Sequence, residues 1–365
     1  MSAWSFLCLS AVLSASGLLG CGNTGAPAQD YGPLLATLGE QIVLPEHRAF
    51  VARADELVDS VQALVDDPNG DSLTGAQSAW RDARKAYRKL DALHLGPDYT
   101  LHISERIDVA PAEAADIEAL AAAGAAVTDA TISQAGGHAK GFLGLEYLLF
   151  ENPTAGAAEP APSLASDDLG DRRRALALAM AHEVAKSAHQ LGDAWEPDAG
   201  GYITQLELAG AGSTQYASQR AAVDDMVGGV AYALEVIVGV RLAGPLGRKS
   251  NGTPDPAQDP TPRSDNAVAD MEATLSGIIA VYEGDGFSAV VRGKSAKLDQ
   301  TVMAALDDTE TKLAAIPAPF SDAVVNHTAL VEAAFNASSG LKKTWNTDVS
   351  SALGATLKPS DNDGD

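Results

Sequence analysis

The stretch from Gly137 to Phe150 constrains the fold more than any other part of the chain. From Gly141 to Phe150, in GFLGLEYLLF, it is apolar on every side of any helix it forms, and Glu146 is the one exception. Such a segment belongs in an interior. An ionised carboxylate carried there without a partner costs several kcal/mol, so Glu146 must be neutral, paired or bound to a metal. It is the first place to look for chemistry.

The rest of the composition says what surrounds that segment. Apolar residues make up 46% of 365, aromatics only 5%, and Ala and Leu are abundant. This favours helices packed through small side chains over a β-sandwich, and predicts an all-α protein. Lys and Arg number 25 against 49 Asp and Glu, a formal charge of −24, and no segment gathers the positive charge that a phosphate backbone requires. Nucleic acid is excluded as a partner. The acidity suits solubility and is compatible with a surface that gathers cations.

The N-terminus sets the compartment. Leu7 to Gly20 is an apolar, small-residue run too short to span a membrane as a mature helix, and Leu18-Leu19-Gly20-Cys21 resembles a bacterial lipobox, although no Lys or Arg precedes it. Residues 1–20 then form a lipoprotein signal peptide, Cys21 carries the lipid and anchors the chain to a membrane, and residues 21–33 are a tether. Gly22, in place of the aspartate that retains lipoproteins at the inner membrane, points to the outer membrane. Cys8 leaves with the leader and Cys21 is the anchor. That leaves no thiol for a disulfide, a thiolate metal site or a cysteine nucleophile.

Helical periodicity organises the remainder. Glu46–Val65 places Phe50, Ala54, Leu57, Val61 and Leu64 on one stripe, and Ser72–Leu95 does the same with Ala76, Ala79, Trp80, Ala83, Tyr87 and Leu90. On the second, Arg81, Arg84, Lys85, Arg88 and Lys89 read as a solvated basic face. An irregular connector from Ile103 to Pro111 holds Arg106-Ile107-Asp108, and a helix follows from Pro111 to Ala123. Asp171–Trp195, Thr214–Leu242, Asn266–Tyr282, Gly293–Ile316 and Ser321–Leu357 are further helices. The divisions are a first bundle half at 34–150, a linker at 151–171, a second half at 172–357 with a long loop at 244–265, and a disordered acidic tail at 358–365. Glu235, in the apolar run from Tyr232 to Val240 that Arg241 closes, echoes Glu146 in the other half.

Motifs for other chemistries are missing. A zincin needs H-E-x-x-H, and His182-Glu183 is followed at the required place by Lys186, with His189 a further turn away. His182 and His189 read as solvent-side residues. No nucleophile elbow, phosphate loop or dinucleotide turn follows a strand.

The segments AQSAWRDARKAYRKLDALHLGP, SERIDVAP, KGFLGLEYLLF, RRRALALAMAHEVAKSAHQLGDAW, GVRLAGPLG and SDNAVADMEATLSGIIAVYEG, in that order, resemble the imelysin-like family of bacterial envelope proteins. The resemblance implies two helical-bundle halves related by a pseudo-repeat, with a site where they meet, and a link to iron acquisition. The family has also been filed among metallopeptidases. Its signature is a G-x-H-x-x-E helix whose His and Glu share a face. Gly141 and Glu146 match, but Leu143 stands where the histidine belongs and cannot ligate a metal. His138, the nearest imidazole, lies roughly 12 Å along a helix from Glu146 and becomes a ligand only through a bend at Gly141 or Gly144. Otherwise it is a surface or helix-start histidine.

Glu235 is either the second carboxylate of a hard-cation site or an internal ion pair with Arg106 or Arg241. Arg106 and Asp108 match the family's R-I-D connector and read as a structural clamp. The resulting expectation is an envelope lipoprotein that binds iron, another divalent or trivalent cation, or a small metal complex, alongside iron-uptake components. The alternatives are a metal-dependent peptidase, or a metal-free scaffold with Glu146 paired to an arginine. Carboxylates converging without a basic group favour a metal; an interposed guanidinium favours the scaffold.

Overall fold

Asn69 shows how the sequence fixes a helix start: its Oδ1 accepts from the N–H of Asp71 at 2.9 Å and of Ser72 at 3.0 Å, while Ser72 Oγ accepts from Asn69 N–H at 3.1 Å. Three otherwise orphaned donors are satisfied, two of them by the reciprocal Asn69–Ser72 exchange. The computed structural model describes residues 29–150 and 168–357. The lipobox with Cys21, the acidic tail and most of the 151–171 linker lie outside the described residues. The described residues are helical with no strand, as an all-α reading predicts.

The principal helices are α1 (Leu44–Asp66), α2 (Gly70–Lys89), α3 (Gly141–Leu149), α4 (Asp168–Trp195), α5 (Gln219–Glu235), α6 (Ala267–Tyr282), α7 (Ala296–Ala314) and α8 (Thr328–Thr344). α1 packs along α2 and α4, α3 lies on α4 and α2, α6 crosses α2, and α7 pairs with α8. The expected stripes are buried, including Phe50, Leu57, Val61, Trp80, Ala83 and Leu90. One apolar core runs without a break from the helices before the 151–171 segment to those after it.

Several boundaries depart from the periodicity. The helix expected over Gly293–Ile316 begins later, with α7 at Ala296, and Gly293 and Lys294 instead end a separate helix, Phe287–Lys294, because Ser295 leaves helical geometry and its Oγ accepts from Leu298 N–H at 3.2 Å. The span Ser321–Leu357 breaks at His327, between Phe320–Asn326 and α8. α2 tightens at its end into a 3₁₀ turn over Leu90–Leu93, and the connector contains one helical turn, Ser104–Ile107. α5 widens into a π-helical stretch over Val236–Leu242. Such wide turns rotate the face that the next residues present, and here Arg241 is turned into the core.

Candidate functional site

Gly141 opens α3 with φ +68°, the left-handed region that glycine alone adopts freely. A Cβ there would lie 2.4 Å from the carbonyl oxygen of Ile107. The connector's backbone therefore crosses directly over the start of α3. Trp80 holds the helix from α2, donating from Nε1 to the Phe142 carbonyl at 2.9 Å with its ring edge-on to Phe142 and Phe150. Leu143, in the motif histidine's place, is buried.

Glu146 is 3% exposed. Its Oε1 accepts from Ser264 N–H at 2.8 Å, Ser264 Oγ–H at 2.7 Å and Arg263 N–H at 3.1 Å. Burial pushes the carboxyl up from its ordinary value, and the Ser264 bonds only partly offset this. Its partner is thus the end of the 244–265 loop, where the scaffold expectation put an arginine. Arg81 adds a bond to the Ser264 carbonyl at 3.1 Å, and its guanidinium lies 4.6 Å over the Phe150 ring. In the same loop Asp259 is buried with only the Thr261 N–H at 3.0 Å, and burial raises its carboxyl to about 7.

The basic face of α2 is where the sequence reading fails. Arg84 is 2% exposed and Arg88 is also buried. Both step by four from Trp80 and so share its inward side. Arg84 meets Asp270, which is 0% exposed, with Nε at 2.8 and 3.1 Å and Nη2 at 2.7 Å, and reaches Asp108 with Nη1 at 2.9 Å. Arg88 bonds Asp108 and lies 3.3 Å from Asp91. Arg241 donates to Thr274 Oγ1 at 2.8 Å, the Asp270 carbonyl at 3.2 Å and Asp91 at 3.2 Å, and Thr274 Oγ1 donates to Asp91 at 2.7 Å.

Arg84, Arg88 and Arg241 thus face Asp91, Asp108 and Asp270, charge for charge, across residues from before and after the linker. Burial alone would raise Asp108, yet Arg88 and Arg84 hold it below the ordinary carboxylate value. Arg241 is lowered, by burial first and then by Arg88.

Tyr87 and Tyr232 border this cluster. Tyr87 stacks on Phe142 at 5.7 Å, and Tyr232 stacks on His94 at 4.0 Å. Gly229 makes the second contact reachable, since a Cβ there would sit 2.9 Å from the Ala92 carbonyl oxygen. The one signal for Asp270 was a carboxylate four residues from Thr274, on the same side of a helix that also carries Glu272; nothing marked Tyr232 or His94.

The other candidates disperse. Arg106 does not clamp Asp108 but donates to Gln190 at 2.8 Å, and Asp108 belongs to Arg84 and Arg88. Glu235 pairs with Lys342, not with Arg106 or Arg241, because the widened turn faces α8. His138 is exposed and its Nδ1 bonds the Pro111 carbonyl at 2.7 Å. His182 pairs with Asp129 at 2.8 Å and His189 with Asp55 at 2.9 Å along a shallow groove of about 480 Å³. Among the described residues no cluster of three or more His, Cys, Asp or Glu could hold a metal ion.

The Imelysin family model, a peptidase M75 group, matches residues 43–344. The chain belongs to the imelysin family. Iron-regulated protein A of Synechococcus elongatus is 26% identical over 256 residues, 70% of this chain, and the chain spans 65% of that relative's length. Two solved structures share the fold. A candidate iron-regulated protein A precursor from Parabacteroides distasonis aligns with TM-score 0.78 at 18% identity, over 91% of this chain and 97% of that one. An imelysin-like protein from Psychrobacter arcticum 273-4 gives 0.73 at 16%, over 90% and 96%.

Proposed function

We propose that this imelysin chain is a binding protein in iron handling, and that its ligand is a small iron complex carrying its own oxygen ligands. The observation that carries this reading is the balanced cluster of three guanidiniums and three carboxylates at the seam between the sequence halves. The guanidiniums interposed between these carboxylates count against a bare cation, by the criterion set out for the sequence, because it would have to pull Asp91 and Asp108 from arginines that already neutralise them, and breaking such buried pairs is costly. A complex with an anionic component meets both signs. The name of the Synechococcus relative supports iron as the metal.

A catalytic zinc takes three protein ligands and one open position. Leu143 in the histidine's place and the dispersal of His138, His182 and His189 favour binding over peptide hydrolysis. Glu146 then acts at one remove, by fastening the 244–265 loop. The Leu18–Cys21 box supports a lipid-anchored protein of the outer membrane working beside iron-uptake components.

The test is calorimetric titration of the full-length chain with ferric citrate, beside citrate alone. Saturable heat with ferric citrate, weakened at least tenfold by Asp108→Asn while the fold persists, supports the reading. Identical heats for the two titrants would remove it.

A further inference from the structure

We infer that Asp259 is a pH-controlled latch on the 244–265 loop. Neutral, it stays buried and the end of the loop lies against α3 and α6; ionised, it leaves for water and that end loosens. The inference needs no iron and stands apart from the binding reading above.

The loop is closed in two different ways. Its first part is tied by its own backbone, with Asp255 N–H donating to the Pro245 carbonyl at 2.7 Å and Gly252 N–H to the Gly247 carbonyl at 2.9 Å. Its end depends on side-chain carboxyls. Glu146 takes the N–H groups of Arg263 and Ser264, Asp265 Oδ1 accepts from Phe320 N–H at 2.9 Å, and Asn266 Nδ2 donates to Asp270 at 2.8 Å. Asp259 opens this stretch and is 6% exposed.

Asp259 is short of donors, and the sequence says why. In Asp259-Pro260-Thr261-Pro262 the two prolines have no N–H to give, so the turn offers only that of Thr261, at 3.0 Å from Oδ1. Oδ2 is buried with no hydrogen-bond partner among the described residues, and so is Thr261 Oγ1. Glu146, by contrast, has three donors on one oxygen. A carboxylate so poorly supplied is costly to bury ionised, whereas a neutral carboxyl is not.

The surrounding charges do not compensate it. Glu146 on α3, Asp265 in the loop and Asp270 on α6 all oppose its ionisation. Arg84 is engaged with Asp270 and Asp108. On α2, Arg81 turns to the Ser264 carbonyl and the Phe150 ring; in the loop, Arg263 lies over the Tyr147 ring and Arg248 pairs with Glu332. Asp255 is taken up by Ala257 N–H and Gln258, and Lys249 is exposed. The helix Phe320–Asn326, packed on the Pro256–Gln258 turn, adds only Asp322, exposed and bonded to Asn326, with the exposed His327 after it. Burial first, and then these carboxylates, raise the Asp259 carboxyl to about 7. Stability owed to the neutral form is complete below the ordinary aspartate value of about 4 and is lost as pH rises through the folded value. The change reaches the seam through Asn266, whose partner Asp270 also holds Arg84.

The experiment is hydrogen–deuterium exchange of the full-length chain from about pH 5.5 to about pH 8.5, read on peptides covering residues 255–266 and corrected for the intrinsic pH dependence of amide exchange. Protection of this segment is expected to fall about tenfold or more across the range, while α7 and α8 keep theirs. Asp259→Asn, which stays neutral and still accepts from Thr261 N–H, holds the protection at high pH. His47→Gln, which removes the other group raised by burial and charge, leaves the fall in place. Flat protection in the native chain, or an equal fall in Asp259→Asn, overturns the latch. Should Asp259→Asn fail to fold, the native chain still decides, since a fall shared by α7 and α8 is global unfolding and overturns it too.

Discussion

Two buried polar side chains, Glu146 and Arg84, meet the cost of leaving water in different ways. Glu146 takes three neutral donors from residues 263 and 264, which fasten a loop to α3. Arg84 takes charged partners on two sides. Removing one charge of a buried pair strands the other, at about 3–5 kcal/mol. Asp270→Asn is therefore expected to lower stability by that amount in thermal or denaturant unfolding, more than any surface charge change. Gly141→Ala combines an unfavourable φ with a Cβ driven into the Ile107 carbonyl, and should cost about 3 kcal/mol or more. Glu146 was legible in the sequence because a lone carboxylate contradicts its apolar neighbours. Arg84 and Arg88 were not, because arginines among other charges look like a solvated face, and only their step of four from Trp80 separates them from Arg81 and Lys85.

At the level of elements, helix identities were legible and their interruptions were not. Periodicity finds a stripe, but a cap such as Ser295 or a wide turn such as Val236–Leu242 changes geometry without changing composition. Glu146 and Glu235 look alike in sequence for this reason, yet one is fastened to a loop and the other faces Lys342. The tie between α1 and α4 yields a pH prediction. His47 is buried, with Nδ1 2.7 Å from the Val43 carbonyl and Nε2 3.0 and 3.1 Å from the Asp98 oxygens, while Trp195 donates to Asp98 at 2.7 Å. Carbonyl and carboxylate only accept, so both ring nitrogens carry protons. Burial opposes that charge, but Asp98 outweighs it and the imidazole is raised above its ordinary value. A raised histidine contributes stability that is complete below about pH 6.5 and is lost as pH rises through the folded value. The melting-temperature gap between the native chain and His47→Gln should therefore narrow as the pH is raised above about 6.5. A gap that widened would contradict the pair.

At the scale of the whole molecule, the all-α architecture followed from composition and helical periodicity, and the Parabacteroides distasonis structure, aligned with TM-score 0.78, shares the fold. The seam was harder to foresee, since Asp91 and Asp108 come before the 151–171 segment and Arg241 and Asp270 after it, and the packing of α6 on α2, and of α5 and α6 on the turn at Leu90–Leu93, brings them together. A lipid on Cys21 would hold the chain at a membrane. Cys21→Ser should then move the protein from the membrane to the soluble fraction of cells, and unchanged fractionation would remove the anchor. Under the proposed function, iron is held at the seam. The most direct measurement is anomalous diffraction at the iron edge from crystals of the full-length chain grown with ferric citrate. One iron peak is expected, beside the cluster of Arg84, Arg88 and Arg241 with Asp91 and Asp108. A peak in the groove at Asp55, Asp129 and His182, or none, would contradict it.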